Sequence, residues 1–223
     1  MSIKINKLIR SRRRSISLEI TRDAQLVVRI PKYASLSDVK RFILEKRGWI
    51  EKKIAEAGEK INKHTPKKFV SGEKFYYLGE KYILKSTKGQ STKLEFNNGF
   101  FISENDLPYA KNIFIKWYKR QSKINIPKRV RWYANLHKLD YKKIRITSAS
   151  RRWGSCTIQG NLNFTWKLVL LPIKVLDYVV VHELAHLLQH NHSKKFWSEV
   201  ERMLPDYKER RKWLRKNGEE YTI

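Results

Sequence analysis

Apolar and polar positions alternate with period two in three short runs near the N-terminus, at residues 4–9, 15–20 and 26–30, the last ending at Pro31; this pattern predicts half-buried strands. Ser35 and Asp38 then stand at capping-box spacing, and Val39, Phe42, Ile43, Trp49, Ile50 and Ile54 recur at intervals of three and four, predicting one amphipathic helix over about 36–60. Gly79-Glu80 between FYYL and KYIL, and Asn98-Gly99 between KLEF and FFIS, are hairpin signals. A second helical pattern covers about 107–139 with an interruption expected near Pro127. Further on, a strand at 143–147 precedes RRWGSC and a hairpin around Gln159 and Gly160, in whose second arm Leu162, Phe164 and Trp166 alternate with Asn161, Asn163 and Thr165. Residues 168–189 are apolar nearly all round, as in a buried helix. Ser193 is a good cap for a shorter helix with Phe196, Trp197 and Val200 inward, and another helix is expected after Pro205. The pattern predicts an α+β protein in two parts: a hairpin-rich domain over 1–105 with one long helix, and a helical domain with a small sheet over 106–223.

Composition narrows the class. The chain has 223 residues, 41% hydrophobic and 12% aromatic, too apolar for a disordered tail. One cysteine excludes a disulfide scaffold. The start MSIKINKLIRSRRRSIS has positive charge but no apolar core of a signal peptide, and 168–181 is interrupted by Pro172, Lys174 and Asp177, so a cytoplasmic protein without a membrane span is expected. With 49 Lys plus Arg against 21 Asp plus Glu the formal charge is +28, and the stretch 107–176 carries 16 basic residues against the single acid Asp140. Trp117, Tyr118, Trp132, Tyr133 and Trp153 interleave with that stretch, a composition suited to nucleic acid or another polyanion as well as to a solvated helix face.

The chemistry concentrates between residues 182 and 192, which hold four of the six histidines. In His182-Glu183-Leu184-Ala185-His186 the two histidines share one helix face a turn apart and can hold one metal ion. Glu183, about 100° round the axis, can reach a metal-activated water without ligating the metal, as a general base must. A catalytic zinc takes three protein ligands. On a straight helix His190 would lie roughly 12 Å along the axis from His182, too far for bonds of about 2 Å. His192 is the better third ligand if Asn191 turns the chain back in a left-handed conformation, with Glu199 or Glu201 on the next helix as the alternative.

RRWGSC at 151–156, LDYVVVHELAHL at 176–187, NHSKKFW at 191–197 and LPDY at 204–207 together resemble the YgjP-like metallopeptidase family, which is similar in motif to SprT-like and WLM-domain proteases. The resemblance implies a zincin-like C-terminal domain, with His182, His186 and His192 as zinc ligands and Glu183 as the base. Zinc is the metal expected from the ligand type, and another divalent transition metal can occupy such a site.

RWGSC reads either as a tight packed turn or as the wall of the cleft, with Arg152 or Ser155 stabilising an oxyanion. The strand at 161–166 is expected to be an edge on which an extended substrate pairs. Cys156 is not needed as a nucleophile beside a metal-activated water, and His64 and His137 have no evident role. Three functions remain: a zinc-dependent metallopeptidase, a metal-dependent nucleoside triphosphate pyrophosphatase with basic side chains clamping phosphates, and a nucleic-acid-associated protein that cleaves or binds DNA-bound proteins through the basic stretch.

Overall fold

Leu26, Val28 and Ile30 are fully buried on one face of a strand and form the core of the first of two compact units, Met1–Pro66 and Lys67–Ile223. The computed structural model describes residues 3–21, 23–63, 67–88 and 93–223, with 59–63 described by their backbone alone. In the first unit β1 (Lys7–Ser11), β2 (Ser17–Ile20) and β3 (Leu26–Pro31) form a sheet in the order β1-β3-β2, with β1 parallel and β2 antiparallel to β3. The helical pattern at 36–60 is two helices, α1 (Leu36–Glu45) and α2 (Arg47–Lys63), rather than one. The Ser35 side chain accepts from the Asp38 amide at 3.1 Å, and Lys46 leaves helical geometry at φ −95° and ψ 12°, which breaks the run. Val39, Ile43 and Ile50 pack on Leu26, Val28 and Ile30 across that break, so the apolar spacing survives the bend.

The second unit begins with β4 (Lys74–Tyr77), β5 (Glu80–Thr87), β6 (Leu94–Phe96) and β7 (Phe100–Ser103), arranged β4-β5-β7-β6, followed by a 3-10 segment and the long helix α3 (Ala110–Leu136). The division expected at 105 falls inside this unit. Phe75 of β4 stacks on Phe114 of α3 at 4.4 Å between centroids, and Phe100 of β7 lies 4.9 Å from the same ring, so this sheet and this helix share one core. Trp117, Tyr118 and Tyr133 are buried in it, which removes them as stacking platforms for bases. The interruption expected at Pro127 is absent. Proline deprives the Lys123 carbonyl of its helical donor, and Lys123 is exposed, where water can replace the lost bond.

A second sheet follows, of β8 (Lys143–Thr147), β9 (Gly154–Cys156) and β10 (Asn161–Thr165) in the order β8-β10-β9. The strand expected as an edge, β10, is the middle one, parallel to β8 and antiparallel to β9. The apolar run at 168–189 is also subdivided. Trp166–Leu170 is a 3-10 turn, and α4 spans Ile173–Ala185. The carbonyls of Val169 and Leu170 accept from the amides of Leu78 and Gly79 at 2.7 and 3.1 Å, and Pro172 has no N–H, so an α-helical ladder cannot start before Ile173. Gly79, at φ +93°, lies so close that a Cβ there would sit 2.6 Å from Pro172 Cα. Helices α5 (Lys194–Met203) and α6 (Tyr207–Asn217) complete the chain's α+β architecture. No helix among the described residues is long and apolar enough to cross a membrane.

Helix α4 is tied to α3 and α6 through one buried carboxylate. Asp177 is 5% exposed and accepts from Arg129 Nε at 2.6 Å and Nη2 at 2.7 Å, a bidentate pair, while Arg210 Nη1 lies 4.0 Å away. Arg129 also stacks over Trp132 at 4.8 Å. One cation of the basic stretch is thereby committed to the core rather than to a partner. Replacing Arg129 by Met leaves the carboxylate buried without its fork, and urea unfolding is expected to show a loss of about 3 kcal/mol; a loss under about 1 kcal/mol would mean that Asp177 is adequately solvated without Arg129.

Candidate metal centre

The site is made where α4 stops. The Leu187 amide bonds to the Leu184 carbonyl and the Leu188 amide to that of Ala185, i to i+3 bonds that tighten the last turn, and α4 ends at Ala185 with His186 as its cap. The chain returns without the left-handed Asn191 expected from the sequence, since Asn191 is not among the residues of positive φ. Instead, the Asn191 side-chain oxygen accepts from the Ser193 amide at 3.3 Å, and Ser193 caps α5 by accepting from the Phe196 amide. His192, exposed on this turn, comes back onto the end of α4, while His190 is exposed and outside the cluster.

One ring nitrogen each of His182, His186 and His192 lies within 4.8 Å of the others. Nε2 of His182 and Nε2 of His192 are 3.0 Å apart. Imidazole nitrogens held at about 2.0–2.1 Å around one tetrahedral ion stand roughly 3.3 Å apart, close to that separation. His186 Nδ1 lies 3.1 Å from the Gln189 carbonyl, an acceptor only, so Nδ1 carries the proton and Nε2 keeps its lone pair. His182 Nδ1 is buried without a hydrogen-bond partner among the described residues, which leaves the nitrogen facing His192 as the one that can interact. Burial, and after it the neighbouring His186, His192 and Arg211, push the His182 imidazolium down to about 3, so the ring is neutral at ordinary pH, the state a ligand requires. Burial likewise lowers His186. The three imidazoles thus fit a transition-metal ion of the zinc type.

Phe196 packs 5.0, 4.5 and 4.8 Å from the rings of His182, His186 and His192, and Trp197 lies nearly parallel to His192 at 5.8 Å, so α5 orients the triad from one side. Glu199 and Glu201, the alternative ligands, are turned away: Glu199 pairs with Arg202 and Glu201 with Lys208.

Glu183 sits beside the triad and is 5% exposed. Its room comes from Gly154 of β9: a Cβ at that position would meet Glu183 Oε1 at 2.6 Å, Cγ at 2.7 Å and Cδ at 2.8 Å. RRWGSC is therefore both packed turn and site wall. Trp153 packs against Gly218, and Gly154 admits the carboxylate. Only the tight approach of β9 to α4 reveals the glycine's role, which residue spacing alone does not encode. Burial raises the Glu183 carboxyl to about 8, against the pull of Arg152, an exposed cation near enough to act on it. Ser155 Oγ accepts from Asn163 Nδ2 at 3.3 Å across the strand pair. Cys156 is half-buried and its thiol is pushed up to about 11 by burial and then by Glu183, which suits packing rather than nucleophilic attack. His137 lies apart from the triad, nearly parallel to Tyr133 at 6.4 Å, and His64 lies outside the described residues.

A histidine pair on a buried helix, a third histidine returned by a short turn and an adjacent carboxylate define a metallohydrolase-type constellation. The YgjP-like, metallopeptidase domain matches residues 14–217, and the chain belongs to that family. No curated protein matches the chain. Among solved structures, it is similar to the metallopeptidase zymogen of Pyrococcus abyssi abylysin, with 22% identity over 41% of this chain and 93% of that one and a TM-score of 0.37.

Because burial raises Glu183 from 4.5 to about 8, the folded metal-free chain holds a proton that the unfolded chain has released. That contribution to stability is complete below the unfolded value and lost as pH climbs through the folded one. Glu183→Gln, neutral throughout, is expected to raise the Tm of chelator-treated protein by several degrees at pH 9, with the gain shrinking toward pH 5. Equal melting temperatures at pH 9 would show that the carboxylate is not desolvated.

Proposed function

We propose that this chain is a metal-dependent peptidase, with zinc as the preferred ion, that cleaves peptide bonds with His182, His186 and His192 as ligands and Glu183 as general base. The observation that carries the reading is the convergence of three imidazoles beside one buried carboxylate. When bound, the ion supplies Lewis acidity for the scissile carbonyl and for the attacking water. Glu183 accepts the proton of that water and returns it to the departing amine, and a carboxyl whose affinity for protons is raised by burial serves both halves of the transfer. Gly154 supports this role by letting the carboxylate lie against β9 rather than in solvent. Arg152, whose charge reaches Glu183, is the candidate for countering negative charge on the carbonyl oxygen; Ser155 is the second candidate, with its oxygen already accepting from Asn163. β9 is a sheet edge next to Glu183, and an extended peptide can add to it as a further strand, a recognition mode that favours peptide over nucleotide as substrate.

Zinc-loaded Glu183→Gln is expected to retain one metal per chain by atomic absorption while casein or peptide cleavage falls by about 10²–10⁴. Unchanged turnover would remove Glu183 as the base. His192→Ala is expected to lower metal stoichiometry after dialysis well below one, and full retention would exclude it as a ligand.

A further inference from the structure

Lys208, Arg211, Lys212, Arg215 and Lys216 recur on α6 at intervals of three, one, three and one, all exposed, and line one open groove of about 470 Å³. That spacing puts five cations on a single helix face. Glu201 pairs with Lys208 at 2.8 Å, and no ion pair closes on Arg211, Lys212, Arg215 or Lys216 among the described residues. The stripe is also joined to the metal centre. The Arg211 guanidinium lies 4.3 Å over the Trp197 ring, and that ring stands 5.7 Å from His182 and 5.8 Å from His192.

We infer that the basic face of α6 is a substrate-recognition surface for an acidic peptide segment, held by Lys212, Arg215 and Lys216 and running away from the metal centre at Arg211. The inference rests on the peptidase reading and names the substrate class of that site. From Lys208 to Lys216 the stripe spans about 12 Å along the helix, the length of roughly four residues of extended peptide. Several carboxylates on one short segment can therefore each meet a cation, whereas an uncharged segment would leave the cations without partners. Nucleic acid fits less well. Single strands are bound through cations together with free aromatic faces, and Trp197, the ring at the foot of the stripe, is already packed by Arg211, His192 and Tyr207, the last at 5.5 Å and 15° between planes. Tyr207 is itself buried.

The test compares three fluorescein-labelled probes by anisotropy on the full-length, zinc-loaded chain carrying Glu183→Gln, so that no probe is consumed: a twelve-residue peptide with a Glu-rich half, the same peptide with Gln in place of Glu, and a single-stranded DNA twelve-mer. The Glu peptide is expected to bind at least about tenfold more tightly than the Gln peptide, with an advantage that falls as salt rises. Lys212→Glu with Arg215→Glu should abolish that preference. Lys40→Glu with Lys52→Glu, two exposed sites of the first unit that change net charge equally, should keep it. Equal loss in both double variants would assign the effect to bulk charge and overturn the proposal. Tighter, stripe-dependent binding of the DNA would overturn it in favour of nucleic acid. The two peptides are then offered to the chain with Glu183 intact. Cleavage without any acidic preference overturns the stripe and keeps the peptidase. Stripe-dependent binding without cleavage of either peptide supports the surface and overturns the peptidase.

Discussion

Helix α4 is buried along most of its length, yet Asp177, His182, Glu183 and His186 all project from it, and polar groups taken out of water cost several kcal/mol each unless something answers them. Each answer places another part of the domain. Asp177 draws Arg129 from α3 and stands close to Arg210 from α6. His186 uses the Gln189 carbonyl, which holds the turn after α4 in place. His182 faces His192, which brings the start of α5 back over the helix end. Glu183 has the smallest possible neighbour, Gly154, and a carboxyl whose proton affinity burial has raised. The chemistry proposed for the site and the packing of the domain are consequently one set of contacts.

How much of this was legible in the sequence depends on whether the signal was local. His182 and His186 at i and i+4, the Ser193 cap and the inward Phe196 are properties of a few consecutive residues, and each has the expected placement. His192 joined the triad because Asn191 and Ser193 make a turn through side-chain caps, although by a different backbone route from the left-handed one expected. Elements whose limits depend on distant partners differ from what the local pattern predicts. The start of α4 is set by the amides of Leu78 and Gly79, almost a hundred residues earlier, and the division near 105 dissolved because Phe75 and Phe100 pack on Phe114. The middle position of β10 follows from its parallel pairing with β8, a non-local choice that alternation cannot report.

The charge of +28 also changes meaning once it is placed in the fold. In the stretch 107–176 Arg129 is spent on Asp177, and Trp117, Tyr118 and Tyr133 are core, which leaves Trp132 as the exposed ring among the interleaved aromatics and thins the combination of free cations and free rings that a nucleic-acid surface uses. Two cations stand nearest the triad: Arg152, from that same stretch, acts on Glu183, and Arg211, from α6 beyond it, lies over Trp197. Proximity to the triad, rather than density along the sequence, singles out the cations that can bear on the proposed reaction.

The central claim is that three histidines from the end of α4 and the turn beyond it form a single ion site with Glu183 beside the ion and not bonded to it. A crystal of the zinc-loaded protein measured at the zinc absorption edge tests this most directly. The account predicts one anomalous peak per chain at about 2.0–2.1 Å from a nitrogen of His182, His186 and His192, with the Glu183 carboxylate outside bonding distance and packed on Gly154. An ion held by Glu199 or Glu201 in place of His192, an ion ligated by Glu183, or no peak at the triad would contradict it.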